Sequence, residues 1–493
     1  MRLHKSLGLI VALGFALRIV NLGAESLWYD ESFTSWIVKL PFERMIGAIA
    51  GDVHPPLWYL IEWGWVRIVG DSEFALRLPA ALFGVLSIVL IYYVGKAAGL
   101  DDRVSLLGAL LVAVMPGHLY YSQDARMYPL LTCCVLLMIY GALIKRYRLM
   151  IVGAVGACWT QTLGGFYVLG LGLCLVALYF RERGEVIRVG KAFMLVGVGI
   201  SLLIPLVLLQ ARDVADGFWL AAPNLVAALA PVPQLSIGWR IPEWSTLGVY
   251  TVAFSTLFIG FWAARRWAST PRGLIVLSMI VGAPVLLLIA SWVWRPVYLA
   301  RALLPAVSAL MLIWAYALIH LSQEARSLAR VLVGASMLLG IAGYYTVGAR
   351  DPISEWADHI KEEWQEGDVI YHTSITSTLL MGHYLQGLPY AMRPHVSDLN
   401  QSLSEETKAA MGFEISTWEA LIQSHRRVWL VYGTNYLSRA DEFAEIKRIK
   451  GQYNPLMIFR KTQPDNPIEV GIYLYESPRV ITLNSLRIPY NME

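Results

Sequence analysis

Charge is scarce in this 493-residue sequence: Asp, Glu, Lys and Arg make up 15% of it, against 57% hydrophobic residues. Soluble domains carry about 25% charged residues, so an ordinary soluble fold is excluded. With a mean hydropathy of +0.53, the chain reads as a polytopic membrane protein. Cysteine is nearly missing as well. The four present, Cys133, Cys134, Cys158 and Cys174, all lie in apolar runs without CxxC or Cys/His spacing. That excludes a disulfide framework and leaves small buried side chains. The net charge of +4 comes from short scattered clusters of basic residues, which excludes a nucleic-acid-binding face. No internal repeat or low-complexity tract is present.

What is there is a series of about eleven apolar stretches near the ~20 residues a membrane-crossing helix needs. They fall at roughly 6–22, 79–98, 104–119, 129–145, 150–162, 164–180, 192–210, 246–264, 274–292, 302–320 and 330–347. Arg2 and Lys5 before the first stretch imitate a signal peptide. With no small-x-small cleavage site before Glu25 and many spans following, that stretch reads as an uncleaved helix. A cytoplasmic N-terminus puts Lys96/Arg103, Lys145/Arg146/Arg148, Arg181/Arg183/Arg188/Lys191, Arg265/Arg266/Arg272 and Arg326/Arg330 in inner loops. The short outer loops carry only Arg126, Arg212, Arg240, Arg295 and Arg301. This asymmetry follows the positive-inside rule, and an odd number of spans leaves residues 349–493 outside.

Two regions depart from the spanning pattern. Residues 23–78 form a long first outer loop whose pieces "WIVKLPFERMIGAIAG" and "LWYLIEWGWVRIVG" are too short to cross and read as interfacial helices. Trp58, Trp63 and Trp65 suit that depth. From Arg350 the composition turns soluble. "DPISEWADHIKEEWQ" opens with an Asp cap and Pro in the first turn, and "DVIYHT", "RVWLVYG", "PLMIFRK" and "VGIYLYES" read as strands. The expected organisation is a transmembrane domain over 1–348 and an extracytoplasmic α/β domain over 349–493.

Polar residues gather at the outer ends of the spans: Asp30, Glu31, Asp52, His54, Arg77, Gln123, Asp124, Arg126, Tyr128, Arg212, Asp213, Arg295 and Arg301. Acids near a bilayer are costly to desolvate and need a reason. Within "DESF", one acid acts as a general base and the other orients it, or the two form a solvated helix cap; the pair alone leaves both open. "GDVHPPLWY" adds Asp52 and His54, with two prolines that stiffen the backbone and fix where His54 points. Arg77 in "FALRLPAAL" is either a snorkelling side chain or an anion ligand. "YYSQDARMYPL" clusters Gln123, Asp124, Arg126 and Tyr128 in a turn, more polar and aromatic groups than a plain turn requires. Arg295 and Arg301 break the positive-inside trend, which favours an anion ligand. Carboxylates serve as bases or metal ligands, and arginines hold phosphate bidentately. His372, His383 and His395 match no compact metal-ligand spacing.

Five of these segments taken in order, "WYDESFT", "DVHPPLWY", "EFALRLPAALFG", "YSQDARMYPL" and "YLARALLPAVSAL", resemble the GT-C class of integral-membrane glycosyltransferases. The likeness is to bacterial members of the protein O-mannosyltransferase and aminoarabinose-transferase-like superfamily. It covers roughly residues 20–145 and echoes to about 310; the C-terminal domain has no such likeness. The resemblance implies transfer of a hexosyl or pentosyl group, with inversion, from a polyprenyl-phosphate carrier to a protein, lipid or glycan acceptor outside the cytoplasmic membrane. It implies Asp30 as catalytic acid–base residue with Glu31 as companion, Arg77 as the cation that pairs with the acidic pair or binds the donor phosphate, and Arg126 and Arg301 near that phosphate. Some relatives hold a divalent metal near these acids and others do not. Asp52 and His54 are the candidate ligands here, and the expectation is that no metal is required. Two rivals share the charged outer face: a transporter of an anionic solute, and a ligase using a lipid-diphosphate-linked glycan. Transporters bring polar groups to the midplane, whereas here they crowd one face.

Overall fold

Each of the eleven apolar stretches carries helix in the computed structural model, which describes residues 2–213, 222–238, 243–346, 352–394, 405–434, 440–462 and 469–477. Arg240 and His395 of the sequence reading lie outside the described residues. Length and composition separate the helices. Among the described residues Glu73–Ala97, Pro271–Val293, Ala300–His320 and Arg326–Thr346 are long and apolar enough to cross a membrane, and the number rises to six if two bent pairs each count once. Others fall short of the expected count for a geometric reason. Tyr128–Leu143 and Gly164–Tyr179 have 16 residues each, and at 1.5 Å per residue such a helix covers about 24 Å of a ~30 Å hydrocarbon core.

The chain divides into two units: Met1–Glu25, Val53–Arg212 and Leu220–Ala349 make the first, and Ser26–Asp52, Asp213–Trp219 and Arg350–Glu493 the second. The sequence reading kept all of 23–78 with residues 1–348; Ser26–Asp52 instead belong with the C-terminal residues. Their contacts say why. The Leu27 N–H donates to Tyr384 Oη at 2.7 Å, and Thr407 Oγ1 donates to the Ala48 carbonyl at 2.9 Å. Trp36 meets Phe413 edge-on at 5.1 Å.

The first unit is organised around carbonyls that prolines leave without donors. Pro116 ends helix Asp102–Val114, and helix Pro116–Ser122 continues at a bend of 58°. A proline has no N–H for the carbonyl four residues back, here Val112. Arg18 takes its place, donating to Val112 O at 3.3 Å and to Ala113 O at 3.0 Å while also reaching Ser122 Oγ and His118 Nδ1. The same deficit recurs at Pro79 inside helix Glu73–Ala97. Its orphan, Ala75 O, accepts from the Trp65 indole at 2.9 Å. The Ala125 carbonyl, in the turn before helix Tyr128–Leu143, accepts from the Trp58 indole at 3.2 Å. Trp58 is therefore a buried anchor and not part of an interfacial belt. Helices Tyr128–Leu143 and Tyr147–Thr160 form a hairpin whose backbones meet closely: a Cβ at Gly153 would collide with the Met138 nitrogen and the Cys134 carbonyl. Small residues allow this approach where lipid gives helices no hydrophobic drive to associate.

In the second unit β1 (Val369–His372), β2 (Tyr390–Met392), β3 (Arg427–Thr434), β4 (Pro455–Thr462) and β5 (Glu469–Glu476) form one sheet in the order β2-β1-β3-β5-β4. β1 runs parallel to β2 and β3, whereas β5 is antiparallel to β3 and β4. The inner strands β1, β3 and β5 are buried on both faces and read as largely apolar runs. Trp429 and Val431 face one core with Trp356 and Leu380; Val428, Leu430 and Tyr432 face the other with Trp418 and Ile446. The alternation is the period-two signature of a strand. Asp368 is buried at the mouth of β1, paired to Arg427 at 3.3 Å and accepting from the Trp429 indole at 2.8 Å.

Two outcomes follow. Replacing Arg18 by Met removes the donors to Val112 and Ala113 in a dry interior; at about 1–3 kcal/mol for each buried group left unpaired, the detergent-solubilised protein should melt well below wild type in fluorescence-detected size-exclusion assays. His372 is buried, and burial pulls its pKa from 6.5 down to about 3. The unfolded chain takes up this proton below pH 6.5 while the fold resists it, so the contribution is intact above pH 6.5 and falls as pH drops toward 3, by up to about 1.4 kcal/mol per unit. Hydrogen exchange at β1 and β3 should accelerate from pH 7 to 4 after correction for intrinsic rates, and His372→Gln should flatten that dependence.

Candidate active site

The turn 123–127, between helices Pro116–Ser122 and Tyr128–Leu143, brings together parts of the first unit that are far apart in sequence. The backbone folds tightly there, the Arg126 N–H donating to Asp124 O at 2.6 Å. The Arg126 side chain is almost wholly buried. It donates to His54 Nε2 at 3.3 Å and to Tyr59 Oη at 3.5 Å. Accepting from a guanidinium requires a neutral His54 imidazole protonated on Nδ1. The His54 carbonyl accepts from Gln210 Nε2 at 3.1 Å, which fixes the "DVHPP" segment against helix Ile204–Asp213. Arg301 lies over the Tyr128 ring at 5.6 Å, and Tyr128 meets Tyr121 edge-on at 5.0 Å. Asp124 is buried in the same turn, within electrostatic range of Tyr121 together with Arg301.

The structure thus brings together His54, Asp124, Arg126, Tyr128 and Arg301 of the residues singled out in the sequence. Others are seen against backbone groups. Arg77 is buried and donates to the carbonyls of Leu22 at 3.0 Å and Glu25 at 2.8 Å, fastening the chain after the first helix. The Gln123 amide caps the end of helix Arg2–Ile19, donating to Arg18 O at 2.9 Å and Val20 O at 2.7 Å, and its oxygen accepts from Tyr344 Oη. Arg295 follows helix Ala283–Val293, with its backbone N–H on Ala290 O at 3.0 Å. The reading by sequence missed Tyr59 and Gln210. Tyr59 stands in the quoted "DVHPPLWY" segment, and Gln210 is a lone amide at the end of an apolar run.

Asp30 and Glu31 occupy the first turn of helix Tyr29–Lys39, in the second unit. Glu31 is fully buried, and its Oε2 accepts from the Trp28 N–H at 3.4 Å. A carboxylate three residues into a helix meets an unpaired N–H and the positive end of the macrodipole. Asp30 is half-buried, and its carbonyl accepts from Thr34 Oγ1 at 3.1 Å. The two acids differ in setting: the Glu31 carboxylate is buried and meets the backbone, while Asp30 is half-buried. Asp52 ends the same early segment, its N–H on Ile49 O at 3.1 Å.

A metal fits these residues poorly. Among the described residues no group of three or more His, Cys, Asp or Glu converges as a ligand set, and the His54 Nε2 that a cation would take faces the Arg126 guanidinium.

The family model described as dolichyl-phosphate-mannose-protein mannosyltransferase matches residues 53–209, the segment that contributes His54, Tyr59 and Arg126. No curated protein sequence matches the chain significantly. Among solved structures, ArnT from Cupriavidus metallidurans in the apo state aligns with a TM-score of 0.63 at 16% identity, covering 96% of this chain and 98% of that one. The same protein bound to undecaprenyl phosphate aligns at 0.61 and 14% identity, covering 94% and 97%. The apo oligosaccharyltransferase of Archaeoglobus fulgidus aligns at 0.54 and 12% identity, covering 87% of this chain and 69% of that one. The chain thus matches that family model over residues 53–209 and shares its overall fold with ArnT and, at a lower TM-score, with the archaeal oligosaccharyltransferase.

Proposed function

We propose that this chain transfers a sugar, with inversion, from a polyprenyl-phosphate-linked donor to an acceptor on the outer side of the cytoplasmic membrane. The observation that carries the reading is Arg126, a buried guanidinium held between His54 and Tyr59 inside the matched segment. Displacing a sugar from a lipid phosphate releases a phosphate whose charge must be met by cations fixed before the reaction begins. Arg126 and Arg301 are such cations, and an arginine presents the donors a phosphate requires. The ArnT structure bound to undecaprenyl phosphate supports a donor of this chemistry.

In the reaction so read, an acceptor hydroxyl attacks the anomeric carbon from the face opposite the phosphate. The new C–O bond forms as the anomeric C–O phosphate bond breaks, Asp30 takes the hydroxyl proton, and the polyprenyl phosphate leaves. Glu31, tied to the Trp28 N–H, keeps the first turn of its helix in shape. Arg77 acts by fixing the chain at Leu22 and Glu25. The accompanying topology is eleven spans with the N-terminus inside, residues 349–493 outside, and the acceptor met there. Crowding of the polar groups in outer loops supports this reading over a transporter, whose polar residues belong at the midplane.

Asp30→Asn should abolish sugar transfer while donor binding persists; turnover retained in that variant removes Asp30 from the role of base. Native mass spectrometry with added undecaprenyl phosphate should show retained carrier in wild type and at least tenfold weaker retention in Arg126→Ala and Arg301→Ala. Carrier retention unaffected by both changes would remove the two arginines from the phosphate site, and vesicle uptake of an anionic solute without carrier binding would favour the transporter.

A further inference from the structure

The second unit contains a cavity of about 320 Å³ between the C-terminal half of helix Tyr29–Lys39 and the β1–β2 edge of the sheet. That is the lower end of the range for small-molecule sites, which pair an apolar or aromatic lining with a few polar groups. Pro41, Gln386 and Gly387 line it as exposed residues, whereas Ile370 and His372 of β1 line it as buried ones. Most of its polar groups are engaged inside the protein. His383 Nδ1 lies 2.8 Å from Ser35 Oγ and 3.1 Å from Lys39 Nζ. Thr378 Oγ1 donates to Ser374 O at 2.9 Å, and Gln386 Nε2 donates to His383 O at 2.8 Å.

His372 differs from all of these. Of the described lining residues it alone has a buried side-chain polar atom, Nδ1, without a hydrogen-bond partner. The residue is 2% exposed. Burial keeps its imidazole uncharged, with the pKa pulled down to about 3, so the ring offers one acceptor nitrogen and one N–H. Buried polar groups are nearly always paired, and leaving one unmet costs the desolvation of that group. An unmet nitrogen on the wall of a cavity therefore calls for a group that enters the cavity to meet it.

The apolar lining decides the kind of group. Trp36 meets Tyr390 edge-on at 6.1 Å, and Tyr390 stands against the His372 ring at 6.1 Å. Trp36 is seated by its indole N–H on Met411 O at 3.3 Å, and by Gly382, where a Cβ would collide with the ring. Aromatic walls favour an aromatic guest, because edge-to-face and offset contacts add to the area buried. One unmet nitrogen matches one polar group on that guest. A sugar would bring several hydroxyls to the same lining, and each one buried without a bond costs free energy.

We infer that this cavity binds a phenol, whose ring lies against Trp36 and Tyr390 and whose hydroxyl donates to the unmet nitrogen of His372. A free small phenol and a tyrosyl side chain of a peptide carry the same chemistry. The assignment is independent of the proposed sugar transfer, because it rests on residues of the second unit alone and uses none of the arginines or acids of that reaction.

The test is a saturation-transfer NMR titration of the full-length protein in lipid nanodiscs, with empty nanodiscs as the blank. The probes are two pairs that differ by one hydroxyl, 4-hydroxybenzyl alcohol with benzyl alcohol and N-acetyltyrosinamide with N-acetylphenylalaninamide, together with mannose. At least one phenol should bind saturably, about fivefold tighter than its partner without the hydroxyl, as one net hydrogen bond allows. Binding of the small pair alone identifies a free phenol as the guest; binding of both pairs admits a tyrosyl side chain. His372→Phe, which keeps a ring in place, should erase the difference within each pair. Hydrogen exchange at β1 and β3 reports whether the variant remains folded. Four results would overturn the proposal: no saturable binding of either phenol, equal binding within both pairs, mannose binding as tightly as the phenols, or a difference that survives His372→Phe. If that variant loses its exchange protection, Tyr390→Leu replaces it and should weaken every aromatic probe about fivefold; unchanged affinities there overturn the location.

Discussion

A carbonyl without a donor, in an interior where water cannot reach it, is the constraint on which the first unit depends. In hydrocarbon every backbone polar group has to be satisfied by protein. Prolines at 79 and 116 each withdraw one N–H, and a side chain from elsewhere in the chain supplies the replacement, Trp65 and Arg18; Trp58 in the same way meets the turn carbonyl of Ala125. These bonds do more than repair the backbone. Arg18 ties the first helix to the bend at Pro116, Trp65 ties the loop helix Leu57–Val69 to helix Glu73–Ala97, and Trp58 ties it to the turn that carries Arg126. The breaks that would weaken isolated helices thus become the points at which separate helices are joined.

The candidate site inherits its order from those joints. Arg126 stands one residue beyond Ala125, whose carbonyl Trp58 holds, and His54 and Tyr59 flank Trp58 on the segment that reaches it. A guanidinium held in a fixed position requires this kind of support, because donors that must reorganise during a reaction lower its barrier less than donors fixed beforehand. Gln123 and Arg77 belong to the same scaffold, one closing the end of the first helix and the other holding the strand of chain that leaves it.

The helices were legible because composition and apolar run length are local properties. So were strands β1, β3, β4 and β5, whose apolar runs match sheets covered on both faces. β2 was not, since three residues, Tyr390–Met392, are too few to show a period. Among polar residues, legibility depended on the partner. Arg126 and His54 were found because each sits among other polar groups. Arg77 and Gln123 also meet backbone carbonyls, partners that every residue has and no sequence marks. The grouping of Ser26–Asp52 with the C-terminal residues was hidden for a related reason: it rests on contacts such as Leu27 to Tyr384, more than three hundred positions away.

Helix Tyr29–Lys39 carries Asp30 and Glu31 in its first turn and Ser35, Trp36 and Lys39 on the cavity wall. Asp30 and Lys39 are about 13 Å apart along its axis at 1.5 Å per residue. Eleven hydrogen-bonded residues behave as a stiff strut, and a strut passes displacement from one end to the other without needing any contact between them. The helix therefore holds its first turn and its Lys39 end at a set separation along one axis.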